Sequence, residues 1–342
     1  MARPTITDLA NAAGVSVSTV NRVLAGAENV RSPTVQLVKE AAEHIGFYGL
    51  GSIRSQFSAK RAKYRFGFLL LQPSRTFYRM LASQLELGAK QIVDSDVDVT
   101  VHFADDLSPQ NFANKMLELG QTCDALGVVA AVHPLVSQAV DALEQKNIPV
   151  FALISQLSAT GSVNYVGPDN WKVGRTAAWA IANLCKEPGK IGILVGNHRY
   201  RCQEMNESGF RSYFREHAPE FTLLEPLSTF ETSAVAEELT EKLLGEHPDL
   251  KGLFVAGGGI SGAMNALRTA GKAAKIITVC HQLMDNTRDG LLDGTLSMVL
   301  NDPLDRLVNE TLNGMIRACK TPGDVRRQTM VLPFEIYTRE NI

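Results

Sequence analysis

The sequence predicts two parts of different fold class: a small all-α domain at residues 1–47, and a two-lobed α/β portion with parallel sheets at residues 65–342. Three observations support this prediction. Apolar residues in the first part recur at helical spacing. In the second part, short apolar runs alternate with amphipathic stretches, which is typical of parallel sheets covered by helices. That alternating series occurs twice, which indicates two similar subdomains.

The composition is that of an ordinary globular protein. The chain has 342 residues, of which 45% are hydrophobic and 20% are charged, enough for two or three domains. No run approaches the roughly 18 uninterrupted apolar residues of a membrane-spanning helix, and no apolar signal peptide follows the first methionine. The five scattered cysteines favour reduced thiols. We therefore expect a cytoplasmic protein without a metal, a cofactor or a membrane partner.

Charge is divided unevenly along the chain. Residues 1–63 carry eight basic and four acidic side chains, whereas the remaining residues carry 26 basic and 32 acidic ones. A basic segment joined to an acidic one suggests that the first part meets a polyanion and that the second does not. Chance variation over a short segment gives the same pattern, so the arrangement of residues within it must decide.

Three short helices are predicted within residues 1–47. Thr5 is the expected N-cap of the first helix and Gly14 ends it, while Ser16 caps the second helix after a tight turn. Ser32 and the proline after it open the third helix. The apolar positions that form the predicted core are Ile6, Leu9, Ala10, Ala13, Val20, Val23, Leu24, Val35, Val38, Ala42 and Ile45.

Two helices joined by a glycine turn, with a third closing the core, form a helix-turn-helix, whose second helix lies in the major groove of DNA. Arginine pairs with guanine, asparagine with adenine and valine with the thymine methyl group, and hydroxyls at helix starts suit phosphates. The candidate DNA-binding side chains here are Thr5, Ser16, Val17, Ser18, Thr19, Asn21 and Arg22. Any small three-helix bundle has similar stripes, and Arg22 is also compatible with a solvated surface charge.

The segment from Thr5 to Gly26, TITDLANAAGVSVSTVNRVLAG, closely resembles the N-terminal signature of the LacI/GalR family of bacterial transcription regulators. One departure is Asn21, where the family usually has serine, and it bears on which operator is recognised. The resemblance implies a homodimer on a pseudo-palindromic operator in double-stranded DNA. It also implies a periplasmic-binding-protein-like fold that binds a small-molecule effector between two lobes.

Residues 48–64 are predicted to form a hinge or linker, because glycines break the third helix and a basic run follows. An ordinary charged linker explains the same composition. In the family this segment becomes a short helix on DNA, and an apolar side chain, usually leucine, wedges into the minor groove. Arg54 matches the family hinge, but Gln56 stands at the leucine position, which leaves Phe57 or Ile53 as the wedge.

In the larger portion, apolar runs mark two series of strands. The strand candidates are Phe66–Leu71, Val97–Phe103, Ala125–Ala131, Pro149–Ile154, Ile191–Val195, Thr222–Leu227, Leu253–Val255 and Lys275–Cys280. Helices are expected between them, for example at Met80–Val93, Leu135–Lys146, Lys172–Cys185 and Ala234–Leu244. We expect two Rossmann-like subdomains: residues 65–162 plus 296–322, and residues 163–295 plus 323–342.

Open α/β sheets bind ligands at the carboxyl ends of their strands, so two facing lobes form one cleft. Phe77 follows the first strand, where the family often places an aromatic residue against its ligand, although Phe77 and Tyr78 are equally compatible with the core. Asp169 begins the run DNWKVG, which matches the family element Asp-Asn-x-x-x-Gly, whose acid accepts hydrogen bonds from the effector. The alternative role for Asp169 is a helix cap, and both roles can coexist.

Asn206 stands where the family has an arginine that anchors many effectors. Its neutral amide disfavours a carboxylate-bearing effector and favours a sugar or polyol. His281 and Gln282 follow a strand at which family members place an acid for ligand hydroxyls, and His133 occupies another strand end. Each histidine is equally interpretable as a structural residue.

Two alternatives remain open in the second lobe. Arg199 or Arg201 can replace the missing arginine, or either can face solvent. The glycines at 257–259 can cradle a phosphate at a helix start, but a lone glycine triplet is weak and we interpret it as a tight turn.

The leading hypothesis is a DNA-binding regulator, a repressor, whose affinity for DNA is set by its effector. A cytoplasmic sugar-binding protein without operator specificity has the same two-lobed fold, but the N-terminal helices argue against it. An enzyme acting on sugars is disfavoured, because the sequence lacks a nucleophile elbow, HExxH, a complete P-loop and CxxC. No leucine heptads follow residues 334–337, which favours a dimer over a tetramer.

Overall fold

The computed structural model describes residues 4–25, 30, 32–47, 61–161, 163–321 and 328–342. Arg54, Phe57 and the alternative wedge Ile53, all in the predicted hinge, lie outside the described residues. The N-terminal helices and the α/β portion form separate compact units. Within the described ranges, no helix has both the length and the apolar character needed to cross a membrane.

The N-terminal unit contains the three predicted helices. They are α1 (Ile6–Ala12), α2 (Val17–Leu24) and α3 (Ser32–His44). A capping box starts α1: the Asp8 amide donates to Thr5 Oγ1 at 3.3 Å, and the Thr5 amide donates to Asp8 Oδ2 at 2.8 Å. Ser16 caps α2 by accepting from the Thr19 amide at 3.2 Å. Gly14, at φ +65°, makes the turn between α1 and α2.

The three helices pack around a small apolar core. Its buried members are Leu9, Ala10, Val20, Val23, Val38, Ala41, Ala42 and Phe47. Partly buried residues that complete it include Ile6, Ala13, Leu24, Val35 and Ile45. Each helix therefore contributes the stripe that its spacing predicts, and the helix-turn-helix fold is confirmed.

The α/β unit contains two sheets. The strands of the first are β1 (Ala62–Leu70), β2 (Ser95–Phe103), β3 (Ala125–Val128), β4 (Val150–Leu153), β5 (Asn164–Pro168) and β12 (Thr329–Leu332). Those of the second are β6 (Lys190–Val195), β7 (Thr222–Leu223), β8 (Leu227–Ser228), β9 (Leu250–Val255), β10 (Ile277–His281), β11 (Met298–Asn301) and β13 (Glu335–Tyr337). Their spatial orders are β12-β5-β4-β3-β1-β2 and β13-β11-β10-β9-β6-β7, with β8 paired to β6.

Helices connect the strands, as the sequence predicts for doubly covered sheets. They are α4 (Thr76–Gln91), α5 (Pro109–Leu119), α6 (Pro134–Glu144), α7 (Asn170–Leu184), α8 (Arg201–His217), α9 (Ser233–Glu246), α10 (Ile260–Thr269), α11 (Asp285–Leu292) and α12 (Leu304–Lys320). Every residue of β3, β4 and β5 is buried, which is typical of central parallel strands. The prediction of parallel sheets is confirmed, except that β13 pairs antiparallel with β11.

The chain passes between the two lobes three times. It leaves the first lobe after β5, returns after β11, and crosses again between β12 and β13. The lobe limits therefore differ from the predicted ones: β5 and β12 belong to the first lobe, and β11 belongs to the second. The reason is that strand pairing decides membership, and β5 pairs with β4 before the chain leaves.

Helices α7 and α8 cross at close range in the second lobe. A Cβ atom at Gly174 would overlap the carbonyl oxygen of Asn206, and one at Gly209 would overlap the carbonyl oxygen of Trp171. Glycine at both positions lets the two backbones touch. This crossing holds Asn206 of α8 beside the start of α7.

Candidate functional site

The face expected to contact DNA is the start of α2. Val17, Ser18, Asn21 and Arg22 are all exposed there, Val17 to 41%. Arg22 Nε donates to the Ser18 carbonyl at 3.3 Å, which holds the guanidinium along the helix. This face therefore presents a methyl-bearing group, a hydroxyl, an amide and a cation, which are the groups that read base edges in a major groove.

The hydroxyls expected to meet phosphates lie at the starts of α1 and α2. Thr5 Oγ1 donates to Asp8 Oδ2 at 2.7 Å, and Ser16 Oγ lies 2.8 Å from Thr19 Oγ1. The hydrogen bond from the Thr5 amide holds the pKa of Asp8 below its usual value. These caps fix the two helix starts, and helix starts are anion-binding positions.

Few of the basic side chains of residues 1–63 lie on the three helices α1 to α3. Of its basic residues, Arg22 and Lys39 are in the helices, and Glu40 is among the acids that offset them. Four other basic residues, Arg3, Arg31, Arg54 and Lys60, lie outside the described residues. The surplus charge is therefore carried mainly by the segments that flank the helices.

A cavity lies between the two lobes at the carboxyl ends of their strands, as predicted. Leu71, Val129 and Ile154 follow strands of the first sheet and line one side, while Ala256 and His281 line the other. The cavity volume is about 50 Å³, far below the roughly 300–1,000 Å³ of pockets that hold small molecules. This part of the cleft between the lobes is therefore narrow.

Asn206 and His281 lie together on the second-lobe side of this cavity. Asn206 Nδ2 is 3.3 Å from His281 Nε2, and Asn206 Oδ1 is buried without a hydrogen-bond partner among the described residues. Burial lowers the pKa of His281 to about 4, so the ring is neutral near pH 7 and Nε2 accepts from the amide. The unpaired carbonyl costs about 1–3 kcal/mol until a donor reaches it.

Asp302 and Gln282 complete this side. Asp302 follows β11 and is only 8% exposed. No described residue donates a hydrogen bond to its carboxylate, and burial raises its pKa to about 6. Gln282 has φ +70°, and its backbone N–H donates to the Leu300 carbonyl at 2.8 Å. With the backbone held in this way, Gln282 is part of the cavity lining. The cavity thus contains a carboxylate and an amide carbonyl to which no residue in the described part of the chain donates.

An ion pair joins the two lobes through the cleft. Arg75, in the loop after β1, places Nη1 2.8 Å from Oε2 of Glu231, which lies in the loop between β8 and α9. The Arg75 guanidinium also lies 4.9 Å from the centre of the Tyr78 ring. Both partners are mostly buried, with the Arg75 side chain 20% and the Glu231 side chain 4% exposed.

A second cavity, of about 240 Å³, adjoins the first and shares Asn170 and Cys202 with it. Asp169 and Arg201 are among its lining residues. Asp169 Oδ1 also accepts from the Lys172 amide at 3.2 Å, so this carboxylate caps α7. Asp169 therefore combines the two roles that its position suggests, a helix cap and a cavity-lining acid.

The predicted effector residues divide into two groups. Those that line the cavities are Asp169, Asn206, His281 and Gln282. Phe77 is only 3% exposed and lines neither cavity; its ring packs edge-on against Tyr78, with centroids 5.3 Å apart. His133 also lines neither cavity; its Nδ1 accepts from the Leu135 amide at 3.2 Å and caps α6.

Sequence reasoning missed Arg75, Glu231 and Asp302. Asp302 obeys the strand-end rule, but it follows β11, a strand that is not among the predicted ones. Arg75 and Glu231 are distant in sequence and come from different lobes, so no local pattern marks them as a pair.

Comparison with known proteins agrees with this organisation. Residues 5–49 match the model for bacterial regulatory proteins of the lacI family, and residues 66–306 match the model for a periplasmic binding protein domain. The sucrose operon repressor of Streptococcus mutans is 27% identical over 295 residues, which are 83% of this chain and 82% of that protein. The HTH-type transcriptional regulator GalS of Salmonella typhimurium is 26% identical over 62% of this chain and 59% of its own.

Solved structures share the two-lobed fold. A periplasmic solute-binding protein of Actinobacillus succinogenes with bound D-allose has a TM-score of 0.73 at 20% identity, covering 81% of this chain and 98% of that one. A solute-binding protein of Burkholderia graminis in complex with D-arabinose has a TM-score of 0.75 at 16% identity, covering 82% and 98%. The periplasmic-binding-protein model spans well over half of the chain, and a lacI-type helix-turn-helix precedes it. The chain therefore belongs to the lacI family of bacterial DNA-binding regulators, with a periplasmic-binding-protein domain as its larger part.

Proposed function

We propose that this regulator is a cytoplasmic repressor, that it binds a pseudo-palindromic operator as a homodimer, and that a sugar or polyol between its lobes sets its affinity for the operator. One observation carries this proposal. A lacI-type recognition helix and an interlobe cleft with unpaired hydrogen-bond acceptors occur in the same chain.

On the DNA side, the exposed face of α2 is assigned to the major groove. The residues assigned to base edges are Val17, Ser18, Asn21 and Arg22. The residues assigned to phosphates are Thr5, Ser16 and Thr19, because they stand at helix starts. A bidentate contact from Arg22 or Asn21 contributes about 1–3 kcal/mol of discrimination between bases.

On the effector side, Asn206 and Asp302 offer acceptors that have no donor within the described ranges, and Tyr78 offers an aromatic ring. Hydroxyl groups are donors that suit such acceptors, and pockets for small polar ligands combine a few placed polar groups with aromatic walls. The similarity to a sucrose operon repressor and to sugar-bound solute-binding proteins supports the same ligand class.

The proposed homodimer supplies one recognition helix for each half-site of the operator. An exposed apolar stripe on α4 supports a subunit contact: Met80 is 39% exposed and Leu87, seven residues on, is 48% exposed. A symmetric dimer pairs the same surface of each subunit, and α4 offers such a surface in the lobe that follows the hinge.

The proposed mechanism is linkage between the two sites. An effector that binds one arrangement of the lobes more tightly shifts the population toward that arrangement. If this arrangement disfavours the operator-bound form of the hinge, the effector releases DNA, and DNA weakens effector binding by the same factor.

The test of operator binding is fluorescence anisotropy of the full chain with its own promoter fragment against random competitor DNA. The double variant Asn21→Ala, Arg22→Ala is expected to lose at least about tenfold in affinity, since two base contacts disappear. Gln36→Ala, an exposed change on α3, is the matched control and leaves affinity unchanged. Normal affinity in the double variant, or no preference for promoter DNA in the native chain, would contradict the proposal.

The test of the effector is a thermal-shift screen against sugars, polyols and purines, followed by anisotropy in the presence of each positive compound. A sugar or polyol is expected to raise Tm and to change the affinity for the operator. If only a purine or a carboxylate-bearing metabolite raises Tm, the assignment of the effector is wrong.

A further inference from the structure

The carboxylate of Glu231 is held in a site built by the second lobe. Gln203 Nε2 donates to Glu231 Oε1 at 2.5 Å, and the Gly258 amide donates to Oε2 at 3.1 Å. A Cβ atom on Gly196 or Gly258 would overlap this carboxylate, so glycine at both positions leaves it room. The glycine run at residues 257–259, for which the sequence leaves a turn or a phosphate cradle open, therefore contacts the Glu231 carboxylate through Gly258.

The loop that carries this carboxylate has an unfavourable backbone conformation. Phe230 and Glu231 lie at φ +51° and +63°, a region that residues other than glycine seldom adopt. The Phe230 side chain is 70% exposed, so burial of its ring does not account for the conformation. This conformation places the Glu231 carboxylate beside its two hydrogen-bond donors, Gln203 and Gly258. Backbone strain of this kind is found at ligand-binding sites.

Among the described residues, Arg75 balances the charge of Glu231. It is the single described cation within 4.0 Å of that carboxylate, and it comes from the opposite lobe. The cavity that Arg75 lines is also lined by a second carboxylate, Asp302, and by His281, which is neutral. Among the residues that the structure describes, no cation pairs with Asp302. When the lobes separate, the cleft keeps two carboxylates and Glu231 loses its partner.

A ligand that fills this cavity competes for space with the Arg75 guanidinium, because the guanidinium lines the cavity and the volume is only about 50 Å³. Removing one partner of a buried ion pair is strongly unfavourable. A neutral ligand leaves Glu231 uncompensated, and an anionic ligand adds repulsion. A ligand with an ammonium group restores the lost charge and supplies hydrogen-bond donors.

We propose that the effector is a hydroxylated compound with an ammonium group, an amino sugar or an amino polyol, whose cation takes the place of the Arg75 guanidinium on Glu231. Its hydroxyl groups donate to Asn206 Oδ1 and Asp302. This inference rests on the proposed function, because it names the chemical class of the ligand for the same cleft.

The test is isothermal titration calorimetry of the full chain with D-glucose, D-galactose and D-mannose, each beside its 2-amino-2-deoxy and N-acetylated counterparts. The amine of at least one set is expected to bind about tenfold or more tighter than both uncharged members. Arg75→Met is expected to raise amine affinity about tenfold further, because the competing cation is gone. Arg79→Met, which removes a nearby exposed arginine that does not pair with Glu231, is the matched control.

Glu231→Gln is expected to reduce the preference for the amine to less than about threefold, and its melting temperature reports whether the variant folds. The inference is overturned if neutral sugars and amines bind equally well. It is also overturned if the preference for the amine is unchanged in Glu231→Gln or in Arg75→Met. In both cases the proposal of a sugar-controlled regulator still stands. If no compound of the panel binds, this inference and the sugar assignment both fall. The anisotropy test decides separately whether the chain is an operator-binding regulator.

Discussion

A hydrogen bond joins Asn206 Nδ2 to His281 Nε2 at 3.3 Å, and no described residue donates to Asn206 Oδ1. Since burial keeps His281 neutral and Nε2 acts as an acceptor, its proton lies on Nδ1. The amide is thereby oriented with its carbonyl available to a ligand.

Asn206→Ala should weaken the effector response without affecting DNA binding. The compound with the largest thermal shift is expected to need about tenfold more concentration to change operator affinity, because one buried acceptor is lost. Anisotropy with and without the compound measures both quantities. Ser208→Ala, an exposed change on the same helix, is the control. A normal response in Asn206→Ala would remove this residue from the site.

Asp302 and His281 should contribute opposite pH dependences to stability. The pKa of Asp302 is raised from 3.8 to about 6, so its contribution is fully present below pH 3.8 and is lost as the pH rises through 6. The pKa of His281 is lowered from 6.5 to about 4, so its contribution is present above pH 6.5 and is lost as the pH falls through 4. The two contributions therefore offset each other between these limits.

Substitution separates these contributions. We compare the change in unfolding free energy between pH 7.5 and pH 4.5. Asp302→Asn should lose about 2 kcal/mol more than the native chain over this range, because it lacks the stabilisation that protonation of Asp302 brings. His281→Gln should lose about 2 kcal/mol less, because it has no buried imidazole to protonate. Urea unfolding at the two pH values measures this, with Asp305→Asn, an exposed neighbour, as the control. Parallel curves for all variants would show that neither group is buried in the way described.

Gly174→Ala should destabilise the α/β unit, because its Cβ overlaps the Asn206 carbonyl at the crossing of α7 and α8. Overpacking of this kind costs about 1–3 kcal/mol. Gly245→Ala is the matched control: this exposed glycine of α9 has no atom near its Cβ position, and alanine should stabilise the helix by about 0.5–1 kcal/mol. Denaturation midpoints should therefore move in opposite directions for the two variants.

Ser16→Ala should loosen α2, because the Thr19 amide loses its side-chain acceptor. The loss of an N-cap costs about 1 kcal/mol, so amide hydrogen exchange in α2 should speed up about fivefold. Ser16→Asp keeps a capping oxygen and should exchange at nearly the native rate. Identical exchange in Ser16→Ala and the native chain would mean that the cap does not hold the helix.

The sequence predicts best those elements that are determined by residues close to them in the chain. The N-caps Thr5 and Ser16 act on amides three residues away, and Gly14 acts on its own backbone. Strand β5, by contrast, contains Asn164 and Pro168 and shows no apolar run; it is a strand because β4 and β12 flank it. Such elements are decided by neighbours that are distant in sequence.

The same distinction applies to the cleft. Asn206 and His281 were predicted because the family resemblance marks their positions, whereas the pairing of Arg75 with Glu231 depends on how two lobes face each other. Phe77 and Tyr78 differ by one step of about 100° around α4. The sequence does not tell which of the two rings faces the cavity, and it is Tyr78. That the chain catalyses no reaction stays a prediction.

Strands β12 and β13 are the outer strands of different sheets, although only two residues separate them. During synthesis, the first sheet lacks its edge strand β12 until residue 332 has left the ribosome, and the second sheet lacks β13 until residue 337 has followed. The N-terminal helices need no later segment for their core, so they can fold while both lobes are still incomplete.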